Sequence, residues 1–375
     1  MQLTWLEIDK KALAHNLKHF EKRVGRGVEI MPVVKSNAYG HGFFEVAGFC
    51  ETSPTVKKIL VVSLDEALKL RGQKIKKPIV VLSFFNLEQL KKQKGQILEN
   101  ISLSVYDLKT ARALNKIARA KGIKIKIHLK IDTGTSRIGF LPAELTVSDA
   151  SKTLKSFKNL FIEGIFSHFA ASETNKKYTR KQLSVFKEIL LKLKEEGISP
   201  PLKHFACSAA ALVSSQSHFN AIRLGIGFYG LWASKQAKKA GRFALKPVLS
   251  WQTRLIQVKK IPKNTPVGYG CSCVVNRPTT LGIIPVGYWD GFDRRLSNCG
   301  QVLHRGKRCN ILGRVCMNMT MIDLTGQPAK AGDQITLIGR QSREKITADE
   351  MAGKIGTINY EVVSRINPLL PRILK

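Results

Sequence analysis

Acidic residues are scarce in this sequence: 27 Asp and Glu stand against 62 Lys and Arg, a formal net charge of +35 over 375 residues. An excess of that size raises nucleic acid or an anionic membrane surface as partners. What a specific nucleic-acid binder needs is missing. The lysines are spread along the whole chain, with no basic tail, no zinc-finger spacing and no RNP-type aromatic motif. The charge therefore reads as a solvated surface, and no specific nucleic-acid role is expected. No apolar run approaches the roughly 18 residues that span a bilayer, so no membrane insertion is expected. The opening Met1-Gln2-Leu3-Thr4-Trp5-Leu6-Glu7-Ile8-Asp9 has acidic residues and no long apolar core, and does not read as a secretory signal. Cysteine is sparse and unpatterned. The seven (50, 207, 271, 273, 299, 309, 316) are odd in number and contain no C-x-x-C pair. Cys271-x-Cys273 alone makes no metal site. The expectation is a cytoplasmic protein with no metal and no disulfide framework.

Length and a 43% hydrophobic composition are enough for two domains. Apolar runs at 29–35, 59–63, 78–83, 101–105, 124–131, 162–167, 203–207 and 221–226 are mostly rich in Val, Ile and Leu, as in parallel strands buried on both faces. Helical periodicity falls between them. Leu13, Leu17 and Phe20 share one face; so do Ala111, Leu114 and Ile117 in 107–121, and Leu183, Phe186, Ile189, Leu190 and Leu193 in 178–196. Eight strands alternating with helices predict an N-terminal (β/α)8, TIM-type barrel over residues 8–234. A lysine-rich linker, 235–242, follows. Beyond it, strand-like segments at 249–260, 280–286, 300–304, 307–315, 319–323 and 335–339 are punctuated by Gly and Pro, with no long helix before 347–354. Residues 243–375 thus read as a mostly β C-terminal domain, with residues 1–7 left to pair with it. There is no internal repeat.

In such a barrel the reactive groups sit at the C-terminal ends of the strands. The first strand runs into Lys35, and a lysine desolvated there loses its proton more readily and can form a Schiff base with an aldehyde cofactor. The fifth runs through Lys130 into Asp132-Thr133-Gly134 and Arg137. The sixth ends at Ser167-His168, the seventh at Cys207-Ser208, and the eighth at Arg223-Leu224-Gly225-Ile226. Gly225-Ile226-Gly227-Phe228-Tyr229-Gly230 matches G-x-G-x-x-G, but the lysines after Ser234 make a poor Rossmann helix and no acidic residue appears before Asp290. A dinucleotide is therefore not expected. Glycine amides after the last barrel strands can instead hold a cofactor phosphate, with Ser208 adding a hydroxyl.

Val33-Val34-Lys35-Ser36-Asn37-Ala38-Tyr39-Gly40-His41-Gly42 resembles the pyridoxal-phosphate lysine signature of alanine racemases. The likeness continues in family order through Lys130-Ile131-Asp132-Thr133-Gly134, Ser167-His168-Phe169-Ala170, Arg223 to Gly230, Gly268-Tyr269-Gly270, Val286-Gly287-Tyr288-Trp289-Asp290-Gly291, Gly313-Arg314-Val315-Cys316-Met317 and Ile358-Asn359-Tyr360-Glu361. The resemblance implies an isomerase that interconverts L-alanine and D-alanine with pyridoxal 5'-phosphate, a cytoplasmic homodimer with active sites shared between subunits, supplying D-alanine for cell-wall peptidoglycan. Lys35 would carry the cofactor and act as one acid/base. Tyr269, from the second subunit, would be the other. Arg223 would contact the pyridine nitrogen. Tyr39, Ser208, Gly225, Ile226 and Tyr360 would bind the phosphate. Arg137 would lie near the substrate carboxylate and the cofactor's phenolic oxygen, oriented by Lys130, which often carries a carbamate in the family. The Met317 amide would meet the substrate carboxylate, His168 would hydrogen-bond Tyr269, and Tyr288 would line the substrate entry.

Those residue types suit the chemistry. Racemisation removes a proton from one face of Cα and returns one to the other, so one base per face is the direct solution. A tyrosine with an ordinary pKa near 10 needs cationic neighbours to act near pH 7, and His168 and Arg223 are expected to be such neighbours. An arginine at the pyridine nitrogen hardly gives up a proton, which keeps the ring a weaker electron sink and disfavours transamination. An aspartate there would argue for an aminotransferase. Barrel-type decarboxylases share the expected fold, but their cysteine-centred substrate motif is absent. Three positions depart from the family pattern: Cys207 for asparagine, Asn318 for aspartate, and Thr135-Ser136 for a Met-Gly-like pair. Tyr360 with Tyr288 would narrow the pocket toward alanine. The alternative is a broader amino-acid racemase acting on serine or lysine.

Overall fold

The computed structural model describes residues 2–146 and 148–375. Two compact units result, one of residues 14–36 and 46–246, the other of the chain up to Leu13, residues 37–45 and residues 247–375.

The first unit is built on parallel strands. Glu29–Pro32, Ile59–Val61, Ile79–Val81, Ile101–Val105, Ile125–Lys130, Leu160–Phe166, Leu202–Cys207 and Ala221–Leu224 form one eight-stranded sheet. The second to eighth strands pair in chain order, and the first pairs with the last through Ile30 opposite Ile222. The remaining gap is spanned just past the first strand, where Val33 bridges Leu60 and the Val34 N–H donates to Leu60 C=O at 2.8 Å. The result is the expected barrel. Ile59–Val61, Ile79–Val81, Ile101–Val105 and Ala221–Leu224 are buried at every position, as strands covered on both faces must be. Intervening helices start at side-chain caps. Asp107 Oδ1 accepts the Thr110 N–H at 2.6 Å at the head of Leu108–Ala120, and Asn175 Oδ1 accepts the Tyr178 N–H at 3.0 Å at the head of Lys176–Glu195.

One sequence expectation is corrected in this unit. Residues 235–242, read as a linker, include the helix Lys235–Gly241. Ser234 Oγ caps it by accepting the Ala237 N–H at 3.0 Å. Ala237 and Gly241, four residues apart, form its buried edge, and a Cβ on Gly241 would lie 2.4 Å from the Trp232 ring. The lysines project outward from a helix whose inward stripe is only two small residues wide, too narrow for hydrophobic periodicity to reveal.

The second unit is mostly β. Its larger sheet orders Lys307–Asn310, Gln301–His304, Gln334–Gln341, Leu249–Arg254, Thr4–Ile8 and Arg372–Leu374, with Glu344–Ile346 added to Gln334–Gln341. The N-terminal strand lies between the two C-terminal ones, Leu6 opposite both Trp251 and Arg372. A three-stranded sheet, Gln257–Ile261, Thr279–Ile284 and Thr320–Asp323, packs Leu281, Ile283 and Met321 with Val267 and Val275. The sequence read 249–260 as one strand. The chain instead changes sheets at Leu255 and Ile256, whose N–H groups turn to Asp333 and Ile283 carbonyls. Ala348–Ile355 and Asn359–Ser364 are the helices of the C-terminal segment.

The chain passes from the first unit to the second through an unusual turn. Lys35–Tyr39 is helical, but Ser36, Asn37, Ala38 and Tyr39 all have φ of 52° to 55°, a left-handed turn without glycine. For L-residues that conformation costs roughly 1–2 kcal/mol each, so its surroundings must hold it. Ser36 donates its N–H to Glu66 Oε1 at 2.7 Å. Asn37 Oδ1 accepts the Phe43 N–H at 2.8 Å, its carbonyl accepts the Gly42 N–H at 3.0 Å, and Ala38 is fully buried. Arg372 Nη2 donates to Gly40 C=O at 3.0 Å. Gly40 has φ +85° and packs so closely that a Cβ would lie 1.8 Å from Val363 O. Gly25 has a similar φ of +84° and open space around it. Gly25→Ala should therefore cost about 1 kcal/mol, the backbone term alone, whereas Gly40→Ala should cost several times more. Urea unfolding of the two variants checks this, and equal midpoints would show that the turn yields.

Candidate active site

The strand ends of the first unit converge on a cluster of cations. Lys35 follows the first strand, Lys130 ends the fifth, Arg137 lies in the loop beyond it, and Arg223 is the third residue of the eighth. Burial, with repulsion from Arg137 and Arg223, pushes the Lys35 amine below its ordinary value despite the opposing pull of Glu66. Lys130 is pushed down to about 7 by burial and by Arg137, Arg223 and Lys35. Its Nζ donates to Leu82 C=O at 3.3 Å and lies 5.5 Å from the centre of the Phe166 ring. An amine in that state is a nucleophile at neutral pH.

Arg223 is 4% exposed, and neutral acceptors hold its guanidinium. Nη2 donates to the Ser167 carbonyl at 2.7 Å, the Phe205 carbonyl at 2.9 Å and His168 Nδ1 at 3.1 Å. Nη1 donates to the His204 carbonyl at 2.7 Å. His168 must accept from Arg223 at Nδ1, because a guanidinium cannot accept. Burial and the repulsion of Arg223, Arg137, Lys35 and Lys130 pull its pKa down to about 3. His168 is thus neutral at physiological pH. That corrects the expectation of a cationic histidine: burial and the surrounding cations keep a charge off this ring.

Asp132, the acidic residue in the loop between Lys130 and Arg137, is committed to backbone. Its Oδ1 accepts the N–H groups of Gly134, Thr135 and Ser136 at 2.9, 2.8 and 3.1 Å, and its Oδ2 accepts that of Arg137 at 2.7 Å. Burial opposes ionisation, but these amides hold the carboxyl below its usual range. Gln182 ties this loop to the next one. Its Nε2 donates to His168 C=O at 3.1 Å and to Thr133 Oγ1 at 3.4 Å, while its Oε1 accepts the Ala170 N–H at 3.0 Å. Neither Asp132 nor Gln182 was assigned a role from sequence. An Asp followed by Thr-Gly after a strand is the available signal for the first, since such loops fold around their own carboxylate. Nothing local marks Gln182.

A candidate anion cradle lies at the ends of the seventh and eighth strands. Ser208 begins the helix Ser208–Val213, and its Oγ accepts the N–H groups of Gly225 and Gly227 at 3.0 and 3.2 Å. The N–H of Ile226, a residue 1% exposed, has no partner among the described residues. Ser208 thus holds the two glycine amides, and its hydroxyl proton and the Ile226 N–H are the donors that suit a phosphate. Cys207, in the N-cap position, makes no side-chain cap bond. No group of three or more His, Cys, Asp or Glu among the described residues could hold a metal.

The other sequence-predicted residues lie in the second unit. The Tyr39 and Tyr360 rings are 6.1 Å apart. Tyr269 opens a short turn, Tyr269–Cys271, between Gly268 and Gly270 at φ +74° and +71°, and is 73% exposed. Tyr288 and Met317 sit on facing loops joined by Tyr288 N–H to Cys316 C=O and Trp289 N–H to Met317 C=O, both 3.0 Å. The Met317 N–H has no partner among the described residues. Tyr288, Trp289, Met317, Met319 and Ile358 are all exposed.

The chain is similar to known proteins over both of its units. The family model described as alanine racemase, N-terminal domain, matches residues 8–232, and that of the C-terminal domain matches residues 248–374. An alanine racemase of Methanococcus maripaludis is 39% identical over 371 residues, 98% of each chain. The solved alanine racemase of Clostridium difficile 630 superposes with a TM-score of 0.93 at 32% identity, covering 100% of this chain and 96% of its own. A histidine racemase from Leuconostoc mesenteroides subsp. sake reaches 0.89 at 28% identity, covering 100% of this chain and 98% of its own. With both domain models matched in order and relatives covered end to end, the chain belongs to the alanine racemase family of isomerases.

Proposed function

We propose that this protein interconverts L-alanine and D-alanine with pyridoxal 5'-phosphate, using Lys35 and Tyr269 as bases on opposite faces of the substrate. The observation that carries the reading is the half-buried, repelled Lys35 amine at the mouth of a barrel that also holds Arg223 and the Ser208 cradle. When bound, the cofactor supplies an electron-withdrawing ring that acidifies the substrate's α C–H. Ser208 with the Gly225 and Ile226 amides would hold its phosphate, joined by Tyr39 and Tyr360. Arg223 would donate to the pyridine nitrogen and, remaining protonated, limit how strongly the ring draws electrons. Lys35, whose amine burial pushes below its ordinary value, would take or return the α-proton on one face.

Tyr269 would serve the opposite face from a second copy of the chain. Its exposure, with that of Tyr288, Trp289, Met317, Met319 and Ile358, is what supports a homodimer, since large apolar groups are seldom left to water together. Arg137 and the unpartnered Met317 N–H would bind the substrate carboxylate, and neutral His168 would orient the tyrosine hydroxyl without competing for its proton. Tyr288 and Tyr360 would exclude larger side chains. A pocket that excludes a small added group discriminates by only about 1–3 kcal/mol, so serine should turn over slowly. The histidine racemase superposes with this chain, which makes histidine, beside serine and lysine, the substrate class to test as the second reading. The reaction would run in the cytoplasm, and the D-alanine formed would supply cell-wall peptidoglycan.

Lys35→Ala should abolish both racemisation and the visible absorbance of bound pyridoxal phosphate; a normal spectrum in that variant would show that another residue carries the cofactor. Tyr269→Phe should keep the spectrum and lower the racemisation rate by roughly 10²–10⁴-fold, the usual contribution of a positioned acid/base. Near-normal rates would place the second base elsewhere. Lys130, pushed down to about 7, is largely neutral at pH 7.5 and should take up CO2 as a carbamate, losing a proton. With ¹³C-bicarbonate, a carbamate carbon signal should appear in the protein and be missing from Lys130→Arg. Its absence from both would leave Lys130 as the free amine.

A further inference from the structure

Five polar side chains of the barrel interior have no part in the site described above: Lys58, Ser102, His128, Glu163 and His204. They form one hydrogen-bonded chain that begins at Arg223. Arg223 Nη1 is 3.0 Å from His204 Nδ1, His204 Nε2 is 2.8 Å from His128 Nδ1, and His128 Nε2 is 3.0 Å from Glu163 Oε2. The far carboxylate also accepts from Ser102 Oγ at 2.6 Å and from Lys58 Nζ at 3.0 Å. His128 and His204 are fully buried, and Ser102 is 1% exposed.

The direction of this chain is forced by its first member. A guanidinium has only donors, so His204 Nδ1 must be the unprotonated nitrogen. A neutral His204 then carries its proton on Nε2 and donates it to His128 Nδ1. That nitrogen must therefore be unprotonated, and His128 carries its proton on Nε2 and donates it to Glu163. Along the links from Arg223 to Glu163, every donor points away from Arg223 and every acceptor toward it. Burial keeps both imidazoles from charging, and although burial opposes ionisation of Glu163, hydrogen bonds from His128 and Ser102 hold its carboxyl ionised. Phe166 stacks on His204 at 4.7 Å with 7° between planes, fixing that ring. Gly164 makes room for the other, since a Cβ there would lie 2.4 Å from His128 Nδ1.

We propose that Glu163, through the ordered imidazoles of His128 and His204, is a positioning residue for Arg223: it fixes the guanidinium's rotation and sets a buried negative charge opposite it in the barrel. The chain's own carbonyls supply no net charge, and Glu163 is an anion linked to Arg223 through the two imidazoles. The inference rests on the reading that Arg223 faces the cofactor ring, but the order of the protons does not.

Histidine-selective ¹⁵N labelling of the cofactor-free protein reads that order directly, with His128→Gln and His204→Gln used for assignment. At pH 7.5 both rings should show a protonated Nε2 and an unprotonated Nδ1. An Nδ1–H ring or an imidazolium at either position would overturn the proposal. Coupling to Arg223 is then read from Glu163→Gln and Gly164→Ala, with melting curves confirming that each variant folds. Both should shift the His204 Nδ1 resonance and weaken pyridoxal-phosphate binding, by roughly tenfold on the scale of other residues that orient a ligand indirectly. Ser102→Ala, which removes one donor to Glu163 and leaves every ring contact, should keep the tautomers and most of the affinity. Disordered tautomers with unchanged cofactor affinity would overturn the link to Arg223. Should the wild-type protein show the ordered tautomers yet take up no pyridoxal phosphate, the proton order stands and the cofactor reading fails.

Discussion

Burial, reinforced by repulsion among neighbouring cations, is the constraint on which this site depends. Lys35, Lys130, Arg137 and Arg223 share the mouth of one barrel, and the nearby carboxylates Asp132 and Glu66 are occupied by backbone amides. The two lysines respond by becoming easier to deprotonate. The arginines cannot, so they remain as fixed positive charge awaiting anions. His168 responds by staying neutral. One electrostatic environment thus yields a usable amine, a nucleophilic second lysine, a neutral hydrogen-bonding ring and an attraction for phosphate and carboxylate groups. The protein spends no separate device on each.

The same constraint explains why so much of the surrounding hydrogen bonding is done by neutral groups. A buried guanidinium must have its donors satisfied, and a carboxylate placed directly against Arg223 would have weakened the repulsion that adds to burial in depressing Lys35 and Lys130. The Ser167, His204 and Phe205 carbonyls satisfy the donors without cancelling the charge. The compensating anion, Glu163, is kept two imidazoles away.

Much of this was readable in the sequence because it rests on strong local signals. Buried parallel strands need continuous Val, Ile and Leu, and a barrel places its chemistry where those runs stop, so Lys35, Lys130, His168, Ser208 and Arg223 could be named from the strand ends alone. The motif around Lys35 supplied the family. What escaped depends on three-dimensional neighbours. The left-handed turn of Ser36 to Tyr39 contains no glycine, and its conformation is held by Glu66, by contacts from 41–43 and by Arg372 on the following glycine. The helix Lys235–Gly241 buries only an Ala-Gly edge, below the threshold of any periodicity. His168 looked like a cation because its ring was judged without the charges around it.

The interior chain from Arg223 to Glu163 was illegible for a related reason. His128, Glu163 and His204 lie on three different strands, and each alone looks like an interruption in an apolar run. Their meaning comes from the register of the barrel, which sets His128 opposite Gly164 and Phe166 opposite His204. A glycine in that register leaves space for a ring, and a phenylalanine provides a face for one. Polar residues buried in a barrel core are tolerable only when every one is satisfied. Here satisfaction leaves a single arrangement of protons, because the arginine at one end can only donate and the carboxylate at the other can only accept. A core that must be ordered to be stable is thereby also a core that orients its arginine.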